Sequence, residues 1–268
     1  ASRFVGRAHE RGADAIILDL EDAVAPAEKA AARAALAEAV PAVGRNGATV
    51  FVRVNAPTAA EDAEAACRAG AVGLLVPKVQ SADMLHALAV ALEPVEREAG
   101  RPSLRFIPLL EDPGAILDAR SILSAGPRVL GVATGGEDLA TAMDAEPTPD
   151  MLRLPKLLVH LAAKAAGVMS FGLMRSIADY ADAAAIEASA REARALGFDG
   201  ASCVHPSVVP ILNRAFAPAP EALDRARRMV AAFEAAEAEG RGAFAFEGNM
   251  VDLPVVDRAR RLIARSAP

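Results

Sequence analysis

The chain has 268 residues and a net charge of −6, with a hydrophobic fraction of 53% that is largely alanine. No apolar run approaches the roughly 18 residues of a membrane span, and the acidic balance and scarcity of aromatic rings argue against a nucleic-acid partner. The only cysteines, Cys67 and Cys203, make no disulfide framework and no CxxC pair, which points to a reducing, cytoplasmic setting.

The first segment, 3–11, reads as a helix ending at Gly12. Short apolar runs then alternate with alanine-rich amphipathic segments. The runs are 15–21, 49–55, 73–79, 104–112, 128–136, 167–174 and 200–206. They are continuous rather than alternating, as strands buried on both faces require. Helical stretches at 26–39, 60–69, 81–98, 113–125, 151–166 and 182–196 lie between them. This order predicts a parallel sheet. Seven strands precede the tail, and a (β/α)8 TIM barrel needs eight. The chain begins at Ala1 with no secretory signal and opens on that helix, so the expectation is a barrel whose first strand precedes the given sequence. An open doubly wound sheet is the rival, but no Gly-rich phosphate loop follows the first run. The barrel is assigned to 1–215. Residues 216–268 are expected to form a C-terminal helical extension that contacts a neighbouring subunit, with 240–254 glycine-containing and of little periodicity.

Polar residues recur where the runs end: Asp19, Glu21 and Asp22; Arg53 and Asn55; Lys78; Glu111 and Asp112; Glu137 and Asp138; His205. Barrel active sites lie at that end of the strands. Glu111 and Asp138 end consecutive runs. Carboxylates about 4.8 Å apart on neighbouring strands repel unless a cation lies between them. A hard divalent ion such as Mg2+ suits them, because it takes one or two carboxylates and keeps its other positions for water or ligand oxygens. The plainer alternative is that Glu137 or Asp138 caps the next helix and that Glu111 pairs with Lys78 or Arg53. Arg53 shares a strand face with Phe51 and Asn55 and needs an anionic partner, either one of the acidic residues or a substrate carboxylate. Glu21 and Asp22 are candidates to hold metal-bound waters, or to cap a helix ahead of Pro26. Lys78 amid carboxylates is a poor Schiff-base former, and His205 before a proline reads as a structural hydrogen-bonding group.

Taken together, "GADAIILDLEDAVAP", "VRVN", "LLVPKV", "GGEDLA", "ALGFDGASCVHPSVVPILNRAFAPAPE" and "GNMVDLPVVDRARRL" resemble the citrate lyase β-subunit-like proteins of the HpcH/HpaI aldolase group, from about Arg3 to Arg265. The resemblance implies a (β/α)8 barrel, a homotrimer, and Mg2+ at the rim. It places the metal ligands at Glu111 and Asp138. Arg53 matches the arginine that grips the oxo-acid carboxylate, and Arg3 matches a second arginine near the site. Gly136 and Glu137 fall among the substrate-binding residues, with Glu21 and Asp22 as the supporting acidic pair. Asp252 matches a catalytic aspartate delivered into a neighbouring subunit. Two segments depart from the family pattern: "MSFGLM" (169–174), with Gly172 where an aspartate is common, and "RLPKLL" (153–158), where an Arg-Ser pair is common. Both fall near the expected entry of an acyl-CoA.

The implied reaction is Mg2+-dependent cleavage of a 3-hydroxy acyl thioester, of the citramalyl-CoA, malyl-CoA or citryl type, to an oxo acid and an acetyl thioester. The alternatives are an aldolase acting on free 2-oxo acids without CoA, and a non-catalytic barrel that binds an oxo acid. The expected partners are small molecules, with no nucleic acid and no membrane.

Overall fold

The computed structural model describes residues 2–178, 180–240 and 243–264, with side chains from residue 4 onward. Two compact units divide the chain, Ala1–Ala215 and Phe216–Pro268. The first contains a six-stranded sheet: β1 (Ala15–Asp19), β2 (Thr49–Arg53), β3 (Gly73–Val76), β4 (Arg105–Leu110), β5 (Gly131–Thr134) and β6 (Met169–Phe171). Every neighbouring pair is parallel, and the spatial order is the chain order. A doubly wound sheet reverses its order at a switch point, whereas a barrel does not. The unit is therefore an α/β fold with a barrel-like sheet.

The alternation along the strands separates two cores. Val50, Val52, Leu74, Val76, Phe106, Leu110 and Val132 pack on the helix side. Phe51, Leu75, Ile107 and Leu109, backed by Ala133 and Phe171, pack on the other face. Gly73 makes room in that inner layer, because a Cβ there would lie 2.4 Å from the Arg105 carbonyl and 2.7 Å from the Phe51 ring.

Four of the helical expectations hold with shifted ends, while 113–125 breaks at Asp118 into Pro113–Leu117 and Ala119–Leu123. Helices span Ala59–Ala69, Ala82–Ala99, Pro149–Ala166 and Ala183–Leu196. The 26–39 segment breaks into a 3-10 turn and two helices, Lys29–Ala34 and Leu36–Gly44. The 3–11 segment forms only Ser2–Val5 and a 3-10 turn at Ala8–Glu10. The seventh apolar run, 200–206, is not a strand. It meets the sheet through one bridge, Phe171 to Gly200, because Pro206 and the His205 turn end the extended chain at once.

The second unit packs helix Pro220–Ala238 and helix Leu253–Ala264 with an antiparallel hairpin, β7 (Phe244–Phe246) and β8 (Asn249–Val251). Met229, Phe233, Val251 and Val256 form its core. The hairpin occupies a stretch that was expected to be irregular. Its two-residue loop, Glu247–Gly248, has positive φ at both positions, as a type I′ turn demands. No helix among the described residues is long and apolar enough to cross a membrane.

Candidate active site

The β1–β2 register sets Asp19 beside Arg53. Arg53 donates to both Asp19 oxygens, Nε to Oδ1 at 2.8 Å and Nη2 to Oδ2 at 2.6 Å. Its Nη1 lies 3.0 Å from Glu21 Oε2 and 3.3 Å from Asp22 Oδ2. One guanidinium thus serves three carboxylates. Burial alone would raise the Asp19 pKa, but the hydrogen bond and charge of Arg53 outweigh it and hold the carboxyl below its usual value. Glu21 is shifted the other way: its burial, reinforced by the charges of Asp22 and Asp19, outweighs the pull of Arg53 and Lys78. Neither Glu21 nor Asp22 caps the turn at Pro26, whose N-cap is Ala25. A substrate carboxylate seeking Arg53 would have to share Nη1 with Glu21 and Asp22.

Lys29 fastens this corner. Its Nζ donates to the Leu20 and Glu21 carbonyls, each at 3.0 Å, and to Asn55 Oδ1. Asn55 is held in turn by buried Asp62, which accepts from its backbone N at 2.8 Å and its Nδ2 at 2.9 Å. An ammonium has three donors, and here each meets an acceptor.

The second corner lies at the ends of β4 and β5. Glu111 is only 6% exposed, and its Oε2 accepts from the Lys78 backbone N at 3.0 Å. Lys78 reaches that position with φ 55°, a left-handed conformation rare outside glycine. Its ammonium lies 3.6 Å from Glu21. Gly135 closes the other side, since a Cβ there would fall 2.4 Å from Glu111 Cγ and Oε1. Burial, with the charges of Asp138 and Glu21 adding to it, pushes the Glu111 carboxyl up to about 7. Asp138 and Glu137 are exposed in the first turn of helix Gly136–Ala142, whose N-cap is Gly135, so neither carboxylate occupies the cap. Glu137 Oε1 instead accepts from Ser176 Oγ.

Glu111 and Asp138 are the residues that could hold a hard divalent cation. One is buried with a single backbone donor, the other is exposed, and their negative charges oppose each other. Among the described residues no cluster of three or more His, Cys, Asp or Glu side chains forms a denser metal site. Asp112 is a helix cap, accepting from Gly114 N at 2.8 Å. His205 accepts from Ser207 N, the structural role expected for it. Asp252, in the second unit, accepts from Val255 N at 3.4 Å at the start of the last helix. The Arg3 side chain lies outside the described residues. Lys29, Lys156 and the Lys78 amide had no role in the sequence expectations; Lys156 serves main-chain carbonyls, and Lys29 serves two carbonyls and the Asn55 side chain. Asp19 stood among the strand-end residues without an assigned partner.

This sheet order defines a barrel-like α/β scaffold with charged side chains gathered at the ends of its strands. Residues 2–206 match the HpcH/HpaI aldolase/citrate lyase family. The citrate lyase β subunit of Leuconostoc mesenteroides subsp. cremoris is 34% identical over 260 residues, 94% of this chain and 85% of that protein. The (3S)-malyl-CoA thioesterase of Cereibacter sphaeroides is 34% identical across 98% of this chain and 90% of its own length. Among solved structures, CitE of Mycobacterium tuberculosis in complex with magnesium, acetoacetate and coenzyme A has a TM-score of 0.74 at 34% identity, covering 98% of this chain and 95% of that one. The chain belongs to the HpcH/HpaI aldolase/citrate lyase family.

Proposed function

We propose that the protein is a Mg2+-dependent carbon–carbon lyase that cleaves a 3-hydroxy-3-carboxy acyl-CoA, of the malyl, citramalyl or citryl kind, to a 2-oxo acid and an acyl thioester. The observation that carries this reading is the buried Glu111 carboxyl, raised to about 7 beside Asp138, with Gly135 shaped around it and the Arg53 cluster on the same rim. Relatives on either side support it: a citrate lyase subunit, a protein named for malyl-CoA, and a CitE holding magnesium and coenzyme A.

In this reading Glu111 and Asp138 hold Mg2+, which when bound supplies Lewis-acid stabilisation of charge developing on the oxo-acid half. Arg53 takes one oxygen of the substrate carboxylate on Nη1 while Asp19 keeps Nε and Nη2, so the guanidinium plane stays fixed as the ligand enters. Glu21 and Asp22 relax from Nη1 and accept from ordered water. Gly136 and Glu137 line the substrate. Asp252 takes the hydroxyl proton as the bond from the hydroxyl carbon to the carbon beside the thioester breaks, and so holds the proton that the enolate carbon needs. Asp252, supplied by a neighbouring subunit of a cytoplasmic homotrimer, protonates the resulting enolate carbon. The six-stranded sheet is then the larger part of a (β/α)8 barrel.

A panel of malyl-, citramalyl- and citryl-CoA, each tested with Mg2+ or with chelator and beside the free acids, decides the reading. Metal-dependent release of oxo acid from a thioester alone supports it. Release from the free acids would favour the CoA-independent aldolase, and binding without turnover the non-catalytic barrel. The thioesterase relative favours a second reading, hydrolysis of the thioester. Free CoA appearing without oxo acid would identify it.

A further inference from the structure

Helix Pro149–Ala166 carries a buried lysine with no part in the chemistry above. Lys156 is 4% exposed. Its Nζ donates to the Leu173 carbonyl at 2.8 Å and to the Arg175 carbonyl at 2.7 Å. Burial costs an ammonium heavily unless hydrogen bonds replace its water. It lowers this pKa to about 8, with the charge of Glu137 opposing the shift.

Those two carbonyls belong to the segment that leaves β6 at its C-terminal end, the rim end of the sheet. Leu173 and Met174 are buried, and Gly172 N donates to the Gly200 carbonyl at 2.9 Å. Ser176, one residue beyond the second carbonyl, donates to Glu137, the neighbour of Asp138. One lysine thus connects, through 173–176, to the turn that presents the metal donor. It also unites the two stretches that depart from the family pattern, 153–158 and 169–174.

We propose that Lys156 is a positioning residue that fixes segment 172–178 as the wall of the active-site mouth and so sets selectivity for the acyl portion of the substrate. The proposal rests on the lyase reading. A substrate whose oxo-acid half is held between Arg53 and Asp138 extends its acyl half away from the metal, past Glu137 and the Ser176 segment bound to it. Lys156 does not touch the reacting atoms. Its loss leaves oxo-acid binding intact and loosens what surrounds the thioester.

Two readouts test this with Lys156→Met, which keeps the volume and removes the donors, and Lys156→Arg, which keeps donors. The first is trypsin cleavage after Arg175, whose own carbonyl is the hydrogen-bond acceptor. Lys156→Met is expected to be cut there about tenfold faster, with Lys156→Arg nearer wild type, as the loss of charge-assisted hydrogen bonds predicts. The second is kinetic: KM for the thioester rises about tenfold, kcat stays within about twofold, and calorimetric affinity for oxaloacetate with Mg2+ is unchanged. Unchanged cleavage in folded Lys156→Met overturns the anchoring. An unchanged KM, or weakened oxaloacetate binding, overturns the selectivity role. If Lys156→Met does not fold, Ser176→Ala releases the same segment at its far end and is read by the same criteria. A wild-type protein that turns over no thioester strikes the lyase reading and the selectivity role with it, and the proteolysis then decides the anchoring alone.

Discussion

The two corners of the rim handle negative charge in opposite ways. At β1 and β2 the chain supplies its own cations. Arg53 lies among Asp19, Glu21 and Asp22, and Lys29 pins the backbone beneath them. At β4 and β5 Glu111 accepts from a backbone amide, and burial with the charges of Asp138 and Glu21 raises its pKa against the weaker pull of the Lys78 charge. In the first corner each carboxylate already has a cation beside it. The second has only the partial offset of the Lys78 charge, and a divalent cation would supply more. The contrast teaches that carboxylates at neighbouring strand ends are not equivalent: their role follows from whether the fold gives them a cation.

The comparison breaks first at Glu111. Glu111→Ala or Asp138→Ala is expected to reduce Mg2+-dependent cleavage by more than about a thousandfold, with circular dichroism unchanged. Undiminished turnover at saturating Mg2+ would remove both from the metal. Asp252→Asn is expected to slow kcat by about a hundredfold, the usual scale of a lost general acid. Mixed oligomers of Asp252→Asn with Arg53→Ala would regain part of that activity if sites are shared between chains. No recovery in verified mixtures would mean that each chain works alone.

Arg53→Lys sharpens the other corner. An ammonium cannot reproduce the fork on Asp19 while also meeting a substrate oxygen, so oxo-acid KM should rise by about thirtyfold with a smaller change in kcat. Normal pyruvate and oxaloacetate affinity in that variant would end the role. The smallest effect appears without metal. Glu111 titrates near 7 in the fold against an ordinary value of 4.5, so the folded state holds that proton more tightly. Its contribution is complete below about 4.5 and is lost as pH rises through about 7, at most about 3 kcal/mol. Chelator-treated wild type should therefore lose several degrees of Tm across this window relative to Glu111→Gln, and Mg2+ should restore them. Parallel melting curves for the two proteins would show that Glu111 titrates normally.

Much of this was legible in the sequence, because buried parallel strands need apolar residues on both faces and so announce their ends by the first charges. Arg53 and Glu111 lie at strand ends as that pattern predicts, whereas Asp138 lies past β5, in the first turn of the next helix. The bond between Arg53 and Asp19 was not legible, since it depends on a register between strands that no local pattern encodes. Lys29 and Lys156 carry no signal in the sequence, because a side chain that serves mainly backbone carbonyls leaves little trace in its partners' identities. The run at 200–206 has strand composition but only one bridge to the sheet. The hairpin at 244–251 had a usable signal, the Phe-Ala-Phe and Asn-Met-Val segments flanking Glu-Gly, which a search for helical periodicity passes over.

The amide that Lys78 offers to Glu111 comes from the main chain. No substitution except proline can delete it, so drift among the other residues at position 78 would leave the carboxylate anchored for as long as the backbone keeps its left-handed twist. Glycine or asparagine there would hold the same geometry more comfortably than lysine does. An engineer wishing to retune the charge beside Glu21 therefore has a position where the ammonium can be exchanged without disturbing the grip on Glu111.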